Sequence, residues 1–90
     1  MKTLKKQPTY RELQEIEKEV LRTGETVIID TATQYTKIYR VENKPEHGGN
    51  YVTSRSIVLK TRQGRRTWVS LQDGEGYGSS KKEAKELAGV

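Results

Sequence analysis

The stretch YVTSRSIVLKTRQGRRTWVSLQ, residues 51–72, decides the fold class, because it has the pattern of two strands joined by a tight turn. Tyr51 to Thr61 and Arg66 to Gln72 are rich in the β-branched and aromatic residues that favour strands. Between them, Arg62-Gln63-Gly64-Arg65 places a glycine where a hairpin turn requires a positive φ. We therefore expect an antiparallel hairpin within a sheet.

Two further strands are predicted before this hairpin. Val27 to Asp30 is a short β-branched run, and Tyr35 to Val41 alternates in the manner of a strand. The segment from Glu42 to Asn50 contains one proline and two glycines and is expected to be a loop. Trp68 has apolar neighbours, which predicts packing in the core. The strands together predict an antiparallel meander of three or four strands.

A helix is predicted on either side of the sheet-forming region. Thr9 and Glu12 have the spacing of a capping box, apolar residues follow at helical spacing, and Gly24 supplies a stop. A short C-terminal helix begins after Ser79 and Ser80, either of which can cap it. The fold class predicted is α+β, with both helices packed on one face of the meander sheet.

The composition predicts one small domain with a modest core. The chain has 90 residues, of which 31% are hydrophobic and 32% charged. Residues 1–7 are rich in lysine and aperiodic, so we expect a flexible basic arm there and a single domain over residues 8–90. Cys is absent, and no apolar run reaches membrane-spanning length. No secretory signal is expected, because no apolar run follows the basic residues 1–6. The expected location is the cytoplasm.

Positive charge is concentrated in one segment. The formal net charge is +5, and residues 51–66 alone carry five basic residues without an acidic one: Arg55, Lys60, Arg62, Arg65 and Arg66. Such a balance favours a polyanionic partner. We expect that partner to meet this segment.

The start of the last helix has the residue types of a phosphate site. Lys81 and Lys82 fall in its first turn and Lys85 lies one turn on, beside backbone amides that Ser80 caps and that favour an anion. The alternative is an ordinary capped surface helix whose lysines are solvated.

Catalysis is not expected. His47 is the single histidine, Cys is absent, and Asp30 and Asp73 are the only aspartates. Neither a nucleophile–base pair nor a metal site can be assembled from these residues. We therefore predict a binding protein that is not an enzyme and requires no metal or small-molecule cofactor.

Three motifs in order resemble the double-stranded RNA-binding domain. They are L-Q-E at residues 13–15, P-x-H followed by an aromatic at residues 45–51, and G-x-G-x-S-K-K-E-A-K at residues 76–85. The resemblance implies an α-β-β-β-α fold that recognises duplex RNA by shape and phosphate contacts along one face. It also implies that Gln14 and Glu15 approach one minor groove. His47, in a loop shaped by Pro45, would enter the next, and Lys81, Lys82 and Lys85 would bridge the phosphates between them.

Two other functions remain open. A DNA-binding module of three strands and a helix, similar to the arm-site-binding domain of tyrosine recombinases, would insert its sheet into the major groove. It accounts better for Arg55, Arg62, Arg65 and Arg66. A small accessory or inhibitor protein that docks on an acidic protein partner is the second alternative. Tyrosines also alternate with basic residues along the predicted β-strands: Tyr35, Tyr39 and Tyr51 with Lys37, Arg40 and Arg55. This pattern is compatible with a surface that binds single-stranded nucleic acid, although tyrosine is common in β-strands.

Overall fold

A computed structural model describes residues 1–42, 48–72, 74 and 76–90. These residues form two helices and one mixed six-stranded sheet. In chain order the elements are β1 (Lys2–Leu4), α1 (Tyr10–Thr23), β2 (Val27–Asp30), β3 (Gln34–Val41), β4 (Tyr51–Arg62), β5 (Arg65–Ser70), β6 (Gly76–Gly78) and α2 (Lys81–Ala88). The strands follow one another across the sheet, with β1 parallel to β2 and the other neighbours antiparallel. The α+β class is confirmed, but the sheet is larger than the predicted meander and is not purely antiparallel.

The two additional strands lie at the edges of the sheet. Strand β1 occupies part of residues 1–7, where a flexible arm is predicted, and Lys2 donates a backbone hydrogen bond to the Thr26 carbonyl at 3.1 Å. Strand β6 lies immediately before α2, in a glycine-rich segment for which no strand is predicted. Each is only three residues long, and pairing of backbone groups does not require apolar and polar residues to alternate along the strand. Neither strand therefore leaves a pattern in the sequence.

Helix α1 begins and ends at the predicted signals. The Thr9 hydroxyl accepts a hydrogen bond from the Glu12 amide at 3.2 Å, and the Glu12 carboxylate accepts one from the Thr9 amide at 3.2 Å. At the other end Gly24 has a φ of 77°, and its amide donates to the Val20 carbonyl at 2.8 Å. Both ends satisfy backbone groups that the helix leaves unpaired. The capping box and the glycine stop are confirmed.

The two helices pack on opposite faces of the sheet, so the prediction that both share one face is wrong. Successive side chains of a strand point to opposite faces. On β2, Val27 and Ile29 pack with Val20 of α1, whereas Ile28 between them packs with Ala84 of α2. The sheet is therefore a central layer with one apolar cluster on each side. We call the two sides the α1 face and the α2 face.

The cluster on the α2 face is built around Trp68. This side chain is buried with Tyr35 of β3 and Ile57 of β4, and the prediction that it packs in the core is confirmed. Ala84 is fully buried against them, and its small side chain lets α2 approach the sheet closely. Burial of a large aromatic side chain contributes roughly 1.5–3 kcal/mol to folding.

The end of the β4–β5 hairpin extends beyond the rest of the sheet. Strand β4 pairs with β3 only as far as Val58, so within the described part of the chain residues 60–67 pair only with each other. Gln63 and Gly64 both have positive φ, 50° and 78°, as a two-residue hairpin turn requires. The radius of gyration is 14.5 Å and the extents are 46 × 28 × 19 Å, whereas a compact chain of this length has a radius of about 12 Å. The molecule is therefore elongated, and we call residues 60–67 the projecting hairpin.

Candidate nucleic-acid interface

The projecting hairpin carries four exposed cations. They are Lys60, Arg62, Arg65 and Arg66. Arg62 lies directly opposite Arg65 in the strand register, where like charges repel. In the part of the chain that the structure describes, no salt bridge involves any of the four. Their charge is therefore available to an anionic ligand.

These cations are distributed over both sides of the hairpin. By strand alternation Lys60, Arg62 and Arg65 lie on the α1 face, and Arg66 lies on the α2 face. Lys60 and Arg62 also border a groove of about 380 Å³ next to β6. Gly76 lines the same groove, where a Cβ would lie 3.1 Å from the Thr67 methyl group. Neither described helix covers the α1 face of the hairpin, because α1 packs on β3 and on the Val52 end of β4.

Arg55 is held in a structural role at the end of α2. Its Nη1 donates to the Ala88 carbonyl at 3.0 Å, and its Nε donates to Gln72 Oε1 at 3.5 Å. The first contact satisfies a carbonyl that the end of the helix leaves unpaired. Arg55 therefore lies apart from the hairpin cations with which the sequence groups it.

The start of α2 has the predicted cap but not three free lysines. The Ser80 hydroxyl accepts a hydrogen bond from the Glu83 amide at 3.2 Å, which confirms the cap. Lys81 forms a salt bridge with Asp30 and donates to the Thr31 carbonyl at 2.9 Å. This hydrogen bond from Lys81 is the main reason that the pKa of the Asp30 carboxyl is lowered.

Lys81 and Lys85 also lie over aromatic rings beneath α2. The Lys85 Nζ lies 4.2 Å from the centre of the Tyr35 ring, and the Lys81 Nζ lies 5.6 Å from that of Trp68. Lysines at these distances are attracted to the faces of the rings. Lys82 is exposed, and in the described residues it forms no salt bridge. Of the three predicted phosphate ligands, only Lys82 is therefore fully available.

The cavity beside α2 is electrostatically mixed. It has a volume of about 560 Å³, and the carboxylates of Asp30 and Glu86 line it together with the lysines. Lys5 approaches the Asp30 carboxylate at 3.6 Å. Phosphate entering this cavity would meet the carboxylates and would compete with Asp30 for Lys81. The sequence gives no sign of this pair, because its members are 51 residues apart.

The remaining predicted contacts do not join the same surface. Gln14 and Glu15 lie on the exposed side of α1, where Lys18 forms a salt bridge with Glu15 at 3.9 Å. That helix is on the opposite side of the sheet from α2. The predicted contacts of Pro45 and His47 lie outside the described residues.

Lys60 contributes to the positive charge of residues 51–66, but it is the one cation of the projecting hairpin that was not predicted to contact nucleic acid. Its position at the base of the hairpin follows from the register with Thr67. The signal was present in the sequence, because Lys60 and Arg62 are two residues apart in a strand and share a face.

The described residues bring together no group of three or more His, Cys, Asp or Glu side chains that could hold a metal ion. None of the helices in the described ranges is long and apolar enough to cross a membrane. Comparisons of the chain with protein-family models, with curated proteins and with solved structures found no match. The resemblance to the double-stranded RNA-binding domain therefore stays a prediction.

Proposed function

We propose that this protein binds double-stranded nucleic acid, without catalysis, by inserting the projecting hairpin into the major groove of a DNA duplex. The observation that carries the proposal is the position of Lys60, Arg62, Arg65 and Arg66 on a two-stranded ribbon beyond the edge of the sheet. Cations in such a position neutralise phosphates and release counterions, which supplies much of the affinity of DNA-binding proteins.

The shape of the hairpin favours B-form DNA. Its two strands are about 5 Å apart, and the major groove of B-DNA, about 12 Å wide, admits a two-stranded ribbon. Cations on both sides of the ribbon face phosphates on both walls of the groove. The major groove of A-form RNA is deep and narrow, and side chains cannot read it.

Duplex RNA remains the competing proposal, supported by the resemblance of three motifs. In that arrangement α1 and the start of α2 contact one side of the same duplex. Here Gln14 and Lys82 lie on helices at opposite faces of the sheet. A straight duplex along one face meets only one of these helices, so the hairpin receives more support as the contact.

The test is a fluorescence-anisotropy titration with DNA and RNA duplexes of matched sequence, each about 20 bp long, at near-physiological salt. The hairpin variant carries Arg65→Gln and Arg66→Gln. The control variant carries Lys18→Gln and Arg22→Gln, which remove the same charge from exposed positions on α1. Surface pairs such as those lost in the control contribute only about 0–1 kcal/mol to stability.

We expect tighter binding to DNA than to RNA, and a loss of DNA affinity in the hairpin variant alone. If the protein prefers RNA, and if Lys82→Glu weakens RNA binding whereas the hairpin variant does not, the start of α2 is the contact surface. Equal affinities of the hairpin and control variants for DNA would refute the hairpin as the contact. Absence of binding to either duplex would leave the acidic protein partner as the function to test.

A further inference from the structure

Neither helix of the described residues covers one part of the α2 face, and this part carries two tyrosines. Helix α2 packs on β4, β5 and β6, and its cluster reaches Tyr35 and Ile57. Beyond them, the register of β3 and β4 places Lys37 opposite Arg55, Tyr39 opposite Thr53, and Val41 opposite Tyr51. All six side chains point to the α2 face, because the residues of each strand are two apart. We call Lys37, Tyr39, Tyr51 and Arg55 the tyrosine surface.

The rings of the tyrosine surface are accessible. Tyr51 is 46% exposed, and Tyr39 is half-buried. The two residues are diagonal neighbours in the register, about 7–8 Å apart, which is within the reach of aromatic side chains. By contrast, Tyr35 on the same strand is buried beneath α2. The surface therefore offers two adjacent rings to a ligand.

The charge of the tyrosine surface favours an anion. Lys37 and Arg55 are directly opposite each other, where like charges repel. Among the described residues neither forms a salt bridge. The Lys37 Nζ lies 5.2 Å from the centre of the Tyr39 ring, and two hydrogen bonds hold the Arg55 guanidinium. The two cations lie on the same face of the sheet, so their combined charge favours a phosphate there.

We infer that the tyrosine surface binds single-stranded nucleic acid, with bases stacked on Tyr39 and Tyr51 and a phosphate at Lys37 and Arg55. Proteins that bind single-stranded nucleic acid combine basic residues that contact the phosphates with exposed aromatic rings on which the bases stack. A duplex cannot use it, because its bases are already stacked and paired. The projecting hairpin, in turn, has cations but no aromatic residue between Lys60 and Thr67. The two surfaces therefore take different ligands, and this inference does not depend on the proposed function.

The test uses fluorescence anisotropy with a labelled oligothymidine of about 12 nucleotides and an abasic oligonucleotide of the same length. The variants are Tyr39→Ala and Tyr51→Ala, with Tyr51→Phe to retain the ring. The matched control is Tyr10→Ala, because Tyr10 is 78% exposed on α1, on the other side of the sheet. Thermal unfolding of each variant shows that the fold is retained.

Tyr51→Ala is expected to weaken oligothymidine binding about 5- to 150-fold, the equivalent of about 1–3 kcal/mol per stacked base. Tyr39→Ala should have an effect in the same direction, whereas Tyr51→Phe and Tyr10→Ala should bind as the wild type does. Binding of the abasic strand, which has phosphates but no bases, should be weak and equal in all variants.

Two results would overturn the inference. One is an oligothymidine affinity for Tyr39→Ala and Tyr51→Ala equal to that of Tyr10→Ala. The other is an equal loss of oligothymidine and abasic binding, because the rings would then not be stacking on bases. Duplex binding separates this inference from the proposed function. The hairpin variant should weaken duplex binding, whereas the tyrosine variants should leave it unchanged.

Discussion

Replacing Arg65 and Arg66 with glutamine should halve the salt dependence of DNA binding. The projecting hairpin carries four cations that the described structure leaves without salt bridges: Lys60, Arg62, Arg65 and Arg66. If each neutralises one phosphate, log Kobs falls with log[salt] at a slope of about −0.9 × 4, or about −3.6. The variant retains two of the cations, so its slope should be about −1.8.

These slopes correspond to large changes in affinity. Between 50 and 200 mM salt, wild-type affinity should fall about 150-fold, which is 4 raised to the power 3.6, and that of the variant about 12-fold. If the two proteins bind equally at about 1 M salt, the difference of about 1.8 in slope weakens binding by the variant about 30-fold at 150 mM salt. The assay is the anisotropy titration with duplex DNA, repeated at five or more salt concentrations in roughly this range.

The control variant distinguishes local contacts from the general loss of charge. Lys18→Gln with Arg22→Gln lowers the net charge by the same two units, at sites on α1. Its slope should stay close to that of the wild type. If both variants reduce the slope equally, DNA binding depends on the net charge of the protein and not on contacts of the hairpin. An unchanged slope in the hairpin variant would likewise show that phosphates are contacted elsewhere.

Three further predictions concern the fold that supports these surfaces. Trp68→Ala should lower the free energy of unfolding by about 3–5 kcal/mol in urea denaturation, because it empties the centre of the cluster under α2. The pKa of Asp30 is lowered in the folded protein, chiefly by its hydrogen bond from Lys81. The salt bridge therefore stabilises the fold fully above the unfolded pKa of about 3.9. This stabilisation is lost as the pH falls through the folded pKa. The stability advantage of the wild type over Asp30→Asn should therefore shrink below about pH 4 in thermal unfolding. Gly24→Ala should cost about 1–2 kcal/mol of unfolding free energy, because its φ is 77°. Its added methyl group would also lie 2.6 Å from Arg40 Nη2.

Each of these predictions has a control. Leu71→Ala, at a position 54% exposed, should change stability by less than about 0.5 kcal/mol, and a similar loss in both variants would contradict the assigned core. A stability difference between the wild type and Asp30→Asn that persists unchanged at low pH would show that the carboxylate charge is not the cause. Gly64→Asn tests the glycine argument, since Gly64 has a φ of 78° and open space around it. Its cost should be smaller than that of Gly24→Ala.

Short-range signals in the sequence determined most of the individual elements. The Thr9–Glu12 capping box and Gly24 set the limits of α1, and Gly64 with its neighbour Gln63 closed the hairpin. Ser80 marked the start of α2. Each of these signals acts over two to four residues, through a backbone hydrogen bond or a positive φ. The basic character of the hairpin was also readable, because neighbouring residues of a two-stranded ribbon are close in sequence.

The tertiary structure decided which surfaces these elements form. The run Val27-Ile28-Ile29 is apolar without alternation, a pattern typical of a strand covered on both faces, and it was the available sign that the helices lie on opposite sides. Strands β1 and β6 form by backbone pairing across the sheet, which depends on neighbours and not on their own side chains. Likewise, the Lys81–Asp30 salt bridge joins residues that only the packing of α2 brings together. Local chemistry therefore fixed what each segment is, and long-range packing fixed which of its charges and rings remain free to bind.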